Sequence, residues 1–130
     1  MKKIKLGLLV NNEERIKKYK EIPLSELSGE KALEIRKSIK IIENEILAFK
    51  EARDNYIREN GEETEDGSIS ILDPKDQQKA IEWINSLAET EIEVTWRPFL
   101  DKNTLDVATK KLQLTIRDLD LIDDLFLSPI

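Results

Sequence analysis

Along the middle of this chain Ile35, Ile39, Ile42, Ile46, Phe49 and Tyr56 recur at alternating spacings of four and three, with Arg53 in the one remaining slot. Such a series falls on one face only if the backbone is helical. The spacing predicts a helix from about Glu30 to about Glu59. Ser28 is a natural N-cap, Glu30 in the first turn suits the helix dipole, and Asn60-Gly61 supply the stop. Ile41 and Leu47 widen the stripe on one side, which suits packing against two neighbours rather than one. Two arrangements satisfy the pattern, an antiparallel helical hairpin within one domain or a self-associating coiled coil. Arg53 within the seam needs a carboxylate partner where it is buried, because an unpaired buried charge is costly.

The segments on either side are shorter. "MKKIKLGLLV" alternates as a strand and bends into a helix at Gly7, after which Asn11 or Asn12 can cap "EERIKKYK", interrupted by Pro23. Downstream of the long helix, "GEETEDGSISILDP" divides into a solvated acidic turn over 62–67 and a strand over 68–72 with Ile69 and Ile71 on one face. Asp73-Pro74 then opens a helix whose apolar stripe is Ala80, Ile81, Ile84, Leu87 and Ala88. In "EIEVTWRPF", Ile92, Val94 and Trp96 alternate with Glu91, Glu93 and Thr95 until Pro98 ends the strand. "NTLDVATKKL" reads as a short helix. Thr115 opens "TIRDLDLIDDLF" with a capping-box-like Thr-x-x-Asp and places Ile116, Leu119, Ile122 and Leu125 on one face. The expected fold is a single α+β domain over 1–130, predominantly helical. Its long helix packs in a helical hairpin, with one small sheet of three short strands and a C-terminal helix.

At 130 residues and 39% hydrophobic the chain suffices for one modest core. It has no cysteine and no histidine, which removes disulfides, thiolate metal sites, cysteine nucleophiles and the usual proton-transfer side chain. Carboxylate chemistry and oxygen-ligated Mg²⁺ or Ca²⁺ survive that exclusion, and binding roles survive it more easily. The net charge of −6 is unevenly spread. Residues 1–20 hold seven Lys/Arg against Glu13 and Glu14, a balance of +5, and residues 59–93 hold eleven acids against Lys75 and Lys79, a balance of −9. This is an electrostatic dipole able to meet a copy of itself head to tail. Nucleic acid is not favoured as a partner, since the acidic remainder repels phosphate and no aromatics interleave the lysines. The apolar run "LGLLV" is too short for a signal peptide, and no segment has the ~20 apolar residues of a membrane span.

The acidic turn invites an EF-hand alignment with Glu62 first, Asp66 fifth, Gly67 sixth and Asp73 last. Glycine and Ile69 fit, whereas Glu62, Thr64 and Asp73 depart from the ligand pattern, so specific calcium binding is not expected. Asp118, Asp120, Asp123 and Asp124 likewise read as a solvated helix face rather than a metal site. No phosphate loop, serine elbow or other catalytic motif occurs, so no catalytic, cofactor or metal residue is assigned and no cofactor is expected. The candidate interaction surface comprises Glu62, Glu63, Glu65, Asp66, Arg53, Trp83 and Trp96. The two tryptophans are expected as core or interface anchors rather than ligand-stacking platforms.

The opening "MKKIKL", the segment near "IPLSEL", "KALEIRKSIKIIENEILAFKEARDNYIREN", the acidic glycine-containing turn, "LAETEIEVTWRPF" and the closing "LTIRDLDLIDDLF" resemble, over nearly the whole chain, a family of small bacteriophage and prophage proteins of unknown function from Gram-positive hosts. The resemblance is one of pattern and carries over no functional residues. It implies a non-enzymatic virion component of the neck or tail, or an assembly factor, whose partners are other phage structural proteins or further copies of itself. Such a chain would occupy the host cytoplasm during expression and, as a structural component, the virion. The alternative is a small phage-encoded inhibitor or regulator of a host or defence protein, using its acidic surface as a mimic of nucleic acid.

Overall fold

Ser28 caps a single uninterrupted helix, Gly29–Asn60, by accepting a hydrogen bond from the Lys31 amide at 3.2 Å. At about 1.5 Å per residue the helix is ~48 Å long, longer than any other helix among the described residues. A computed structural model describes residues 3–21, 25, 27–96 and 113–125. Within them the order is β1 (Lys3–Lys5), α1 (Leu6–Asn11), α2 (Glu13–Tyr19), α3 (Gly29–Asn60), β2 (Glu62–Glu63), β3 (Ile69–Ser70), α4 (Pro74–Ala88), β4 (Glu91–Glu93) and α5 (Ile116–Leu125). The architecture is α+β and predominantly helical. Pro23, Pro98 and the short helix expected over "NTLDVATKKL" lie outside the described residues.

The expected single sheet of three strands is instead two separate antiparallel pairs. β1 pairs with β4 in the register Lys3↔Glu93, Ile4↔Ile92, Lys5↔Glu91, and β2 pairs with β3 through Glu62↔Ser70 and Glu63↔Ile69. Part of the stretch read as a plain acidic turn is thus a strand, and the strand expected over 68–72 pairs at only two residues. Local pattern cannot show this, because pairing satisfies backbone groups irrespective of side chain.

The core joins β1, α1, α2, the first half of α3, Trp96 and α5. Ile4, Leu9, Ile16, Tyr19, Ile35, Ile39, Ile42, Ile46, Leu121, Ile122 and Leu125 form one buried cluster around the Trp96 indole. The α3 stripe as far as Phe49 is therefore covered by the chain itself, which removes it as the seam of a self-associating coiled coil. α4 packs against both α3 and α1, giving α3 its helical partner on the far side of the β2–β3 hairpin. Asp73 caps α4 by accepting from the Lys75 amide at 3.2 Å, and Pro74 occupies the first turn.

Several local expectations change. Leu47 and Ile81 are exposed rather than part of their helices' buried stripes, because no described element covers those sides. Asn12 closes α1 and makes no side-chain cap to α2: its amide donates to the Leu9 carbonyl, and its side chain donates to the Leu8 carbonyl and accepts from Arg15. Gly61 ends α3 in an extended conformation, so no left-handed turn requires it. What requires glycine there is space, since a Cβ would come within 2.6 Å of the Ile57 carbonyl oxygen and 2.9 Å of Ile69. On α5 the inward face is Asp118, Leu121, Ile122 and Leu125, while Ile116 is 78% and Leu119 40% exposed. The helix is turned from its expected setting by Asp118, whose partners are described below.

Candidate functional site

The acidic stretch closes as a three-residue hairpin loop. The Thr64 amide donates to the Ser68 carbonyl at 2.7 Å, the Gly67 amide donates to the Thr64 carbonyl at 3.0 Å, and Gly67 sits at φ 85°. Only glycine takes that conformation without steric cost, which is why the loop turns there. Asp66 points back into the turn, where one carboxylate oxygen accepts from the Thr64 hydroxyl, the Ser68 hydroxyl at 2.7 Å and the Ser68 amide at 3.1 Å. These hydrogen bonds, led by that from Thr64, stabilise the ionised form and hold the carboxyl at about 2, against an ordinary 3.8. Asp66 is thus the fastener of the turn, and Glu62, Glu63 and Glu65 are its exposed acids. The EF-hand register over 62–73 meets a β-hairpin, and no group of three potential metal ligands occurs among the described residues.

The hairpin is held between the end of α3 and the start of α4. Gln77 donates to the Ile71 carbonyl at 2.8 Å, and Tyr56 of α3 stacks on Trp83 of α4 with ring centroids 4.5 Å apart and planes 19° from parallel. Arg53, one turn before Tyr56, is half-exposed and pairs with its neighbour Asp54 at 3.1 Å. Glu62, Glu63, Glu65, Asp66, Arg53 and Trp83 are therefore brought onto one arm: the second half of α3, the hairpin and α4. Trp96 is not among them. It is 2% exposed, and its indole N–H donates to the Leu125 carbonyl at 2.7 Å, satisfying an end of α5 that has no helical donor.

Between α5 and α2 lies a charged group that the expected solvated aspartate face overlooked. Asp118 is 0% exposed. Its Oδ2 accepts from the Thr115 amide at 2.9 Å and from the Lys18 ammonium at 3.0 Å, and its Oδ1 lies 3.4 Å from Arg15 Nε. The Thr115 hydroxyl in turn accepts from the Asp118 amide at 3.2 Å, completing the reciprocal cap that the Thr-x-x-Asp spacing predicts. Burial pushes the carboxyl's pKa up, but the Thr115 amide and hydroxyl and the Lys18 ammonium outweigh it and hold it below the ordinary value. Tyr19 donates to the Asp118 carbonyl at 3.0 Å; its phenol is pushed well above 10 by burial first and by the Asp118 carboxylate second. The cluster locks α5 onto α2. Asp120 and Asp124 remain on the outer face, and the Asp123 side chain lies outside the described residues.

Compared with protein-family models, with curated proteins and with solved structures, this chain finds no match. Its site is therefore read from its own geometry.

Most cations of the basic N-terminal stretch are paired within the fold. Lys5 meets Glu89 at 2.6 Å, Lys20 meets Glu43 at 2.7 Å, Lys50 meets Glu13 at 2.6 Å, Lys17 meets Glu14 at 3.3 Å, and Arg15 and Lys18 serve Asp118. Of the cations without an ion pair among the described residues, three cluster on α3. Arg36, Lys37 and Lys40 are exposed and, with Lys20, Ile39, Glu43 and Asn44, line an open groove of about 440 Å³. Charge totals by segment could not find it, since the signal lies in the spacing of 36, 37 and 40 on the face away from the isoleucine stripe. Two charged surfaces thus stand apart: an acidic arm with exposed apolar side chains, and a basic groove.

Proposed function

We propose that this chain works by protein–protein contact, without catalysing a reaction, and that the acidic arm is its principal contact surface. One observation supports the reading. Of the eight exposed large hydrophobics among the described residues, four, Ile69, Leu72, Ile81 and Trp83, belong to the hairpin, its exit and α4, the elements that also carry Glu62, Glu63 and Glu65. Exposed apolar side chains among charged ones mark interaction surfaces, and tryptophan is the commonest energetic anchor in them. Among the described residues no helix is long and apolar enough to cross a membrane.

The pattern resemblance gives this contact a setting, that of a phage neck or tail component or an assembly factor acting on such components. Mass spectrometry of purified virions tests it: a virion component is present in particles, and Trp83→Ala combined with Glu62→Gln, Glu63→Gln and Glu65→Gln lowers its incorporation. Particles that lack the chain, together with assembly that proceeds unchanged without it, would defeat the setting. The inhibitor reading is favoured by one feature, the three exposed glutamates held on a rigid hairpin, which resemble a short run of phosphates. It requires the chain to compete with nucleic acid for its target protein.

A further inference from the structure

We propose that the groove lined by Arg36, Lys37 and Lys40 receives the acidic hairpin, through Glu62, Glu63 and Glu65, of a second copy of this chain, so that copies associate head to tail. The inference rests on the reading of the chain as a contact protein and names one of its partners.

Three observations carry it. First, the groove is basic on a chain whose net charge is −6, and its three α3 cations have no ion pair among the described residues. Lys20 at the groove's edge is already matched by Glu43 at 2.7 Å, so the cations seeking a partner are those on α3. Secondly, the complementary acids are equally unsatisfied. Glu62, Glu63 and Glu65 are exposed and without an ion pair among the described residues, while Asp66 fastens the turn beneath them. A hairpin held in this way presents its acids with little ordering cost on docking. Thirdly, the two surfaces cannot satisfy each other within one molecule. Lys40 and Asn60, at the foot of the hairpin, lie twenty residues apart on one straight helix. That separation is about 30 Å at 1.5 Å per residue, several times the ~8 Å screening length of physiological salt. Complementary surfaces at different places on one chain make a heterologous contact, which propagates into rings or filaments rather than closing as a two-fold dimer.

Charge reversal tests the geometry, because all six positions are exposed and the fold can be checked by circular dichroism. In low salt, light scattering and sedimentation of the native chain should show mass rising with concentration. Raising salt from about 0.01 M to about 1 M, which shortens the screening length from about 30 Å to about 3 Å, should abolish the rise. The groove variant Arg36→Glu, Lys37→Glu, Lys40→Glu and the hairpin variant Glu62→Lys, Glu63→Lys, Glu65→Lys should each self-associate at least about tenfold more weakly, since like charges then face each other. An equimolar mixture of the two should recover the association that each variant loses alone, since native hairpin then meets native groove and reversed hairpin meets reversed groove. All six reversals in one chain should restore self-association.

A native chain that stays monomeric at about 1 mM in low salt overturns the proposal. If that monomer binds polyglutamate through the groove, the groove belongs to a different acidic protein. Association that survives the groove reversal also overturns it. Neither result touches the contact reading itself, which the virion experiment decides separately.

Discussion

The two halves of α3 carry the same apolar spacing and meet opposite fates. In the first half Ile35, Ile39, Ile42 and Ile46 are buried, enclosed by α1, α2 and α5. In the second half Phe49 is still buried, but beyond it Tyr56 occupies the corresponding face only half-covered, stacked on Trp83, and α4 contributes Ala80 as its buried residue. The base is thus a core and the arm is a rod with one companion. Periodicity marks which side of a helix is apolar, and the number of elements that reach that side decides whether it becomes a core.

The sharpest way to break this contrast is to truncate one side chain in the base and one on the arm. Ile42→Ala, in the base, should cost about 2–5 kcal/mol by urea unfolding, and Ile81→Ala, on the arm, no more than about 0.5 kcal/mol. Equal costs would mean the arm is as tightly packed as the base. Asp118→Ala comes next, at about 2–3 kcal/mol, because it removes the cap on Thr115 and the charged partner of Lys18 together.

That cluster also fixes a pH dependence. Asp118 has a folded pKa below its ordinary 3.8, so its contribution is present above that value and is lost as pH falls through the lower, folded one. Tyr19 has a folded pKa raised above 10, so its contribution is complete below pH 10 and is lost as the pH rises beyond it. Urea unfolding should show a loss of stability at both extremes. The acid limb should shrink in Asp118→Ala, and the alkaline limb in Tyr19→Phe.

On the arm the effects should be smaller and local. Gly67→Ala forces a left-handed conformation on a Cβ-bearing residue, a strain of about 1–2 kcal/mol. Amide exchange at Thr64 and Ser68 should speed up while amides of the α3 base keep their protection. A titration of Asp66 followed by NMR should find its midpoint at about 2, and a value near 3.8 would show that the fastening bonds do not form in solution. Smallest of all, Glu62→Gln, Glu63→Gln and Glu65→Gln together should leave stability within about 0.5 kcal/mol of the native chain, since these acids are exposed.

Much of the backbone was legible from sequence because its signals are local. Ser28 and Asp73 cap the helices they precede, Thr115 and Asp118 form their reciprocal cap, and Ile92, Val94 and Trp96 alternate inward as read. The setting of α5 was not legible. Its residues offer a plausible apolar face through Ile116 and Leu119, and only the positions of Arg15 and Lys18, about a hundred residues earlier, make burying Asp118 favourable. The residues named for a contact surface are placed together only in part. The acids and Trp83 do share an arm, Asp66 proved to be a fastener, and Trp96 belongs to the core. The basic groove was hidden because totals by segment do not show that Arg36, Lys37 and Lys40 fall on one face of α3 and stay unpaired.

The sequence by itself determined where helices begin, which face of each is apolar, and where the chain turns, since caps, periodicity and glycine act over a few residues. The tertiary structure decided which apolar faces are buried, which of the many charges stay unpaired, and that the strands form two ladders rather than one sheet. Those outcomes depend on what a distant segment brings within a few ångströms, and neither the desolvation of a carboxylate nor the pairing of a strand edge has any local signature.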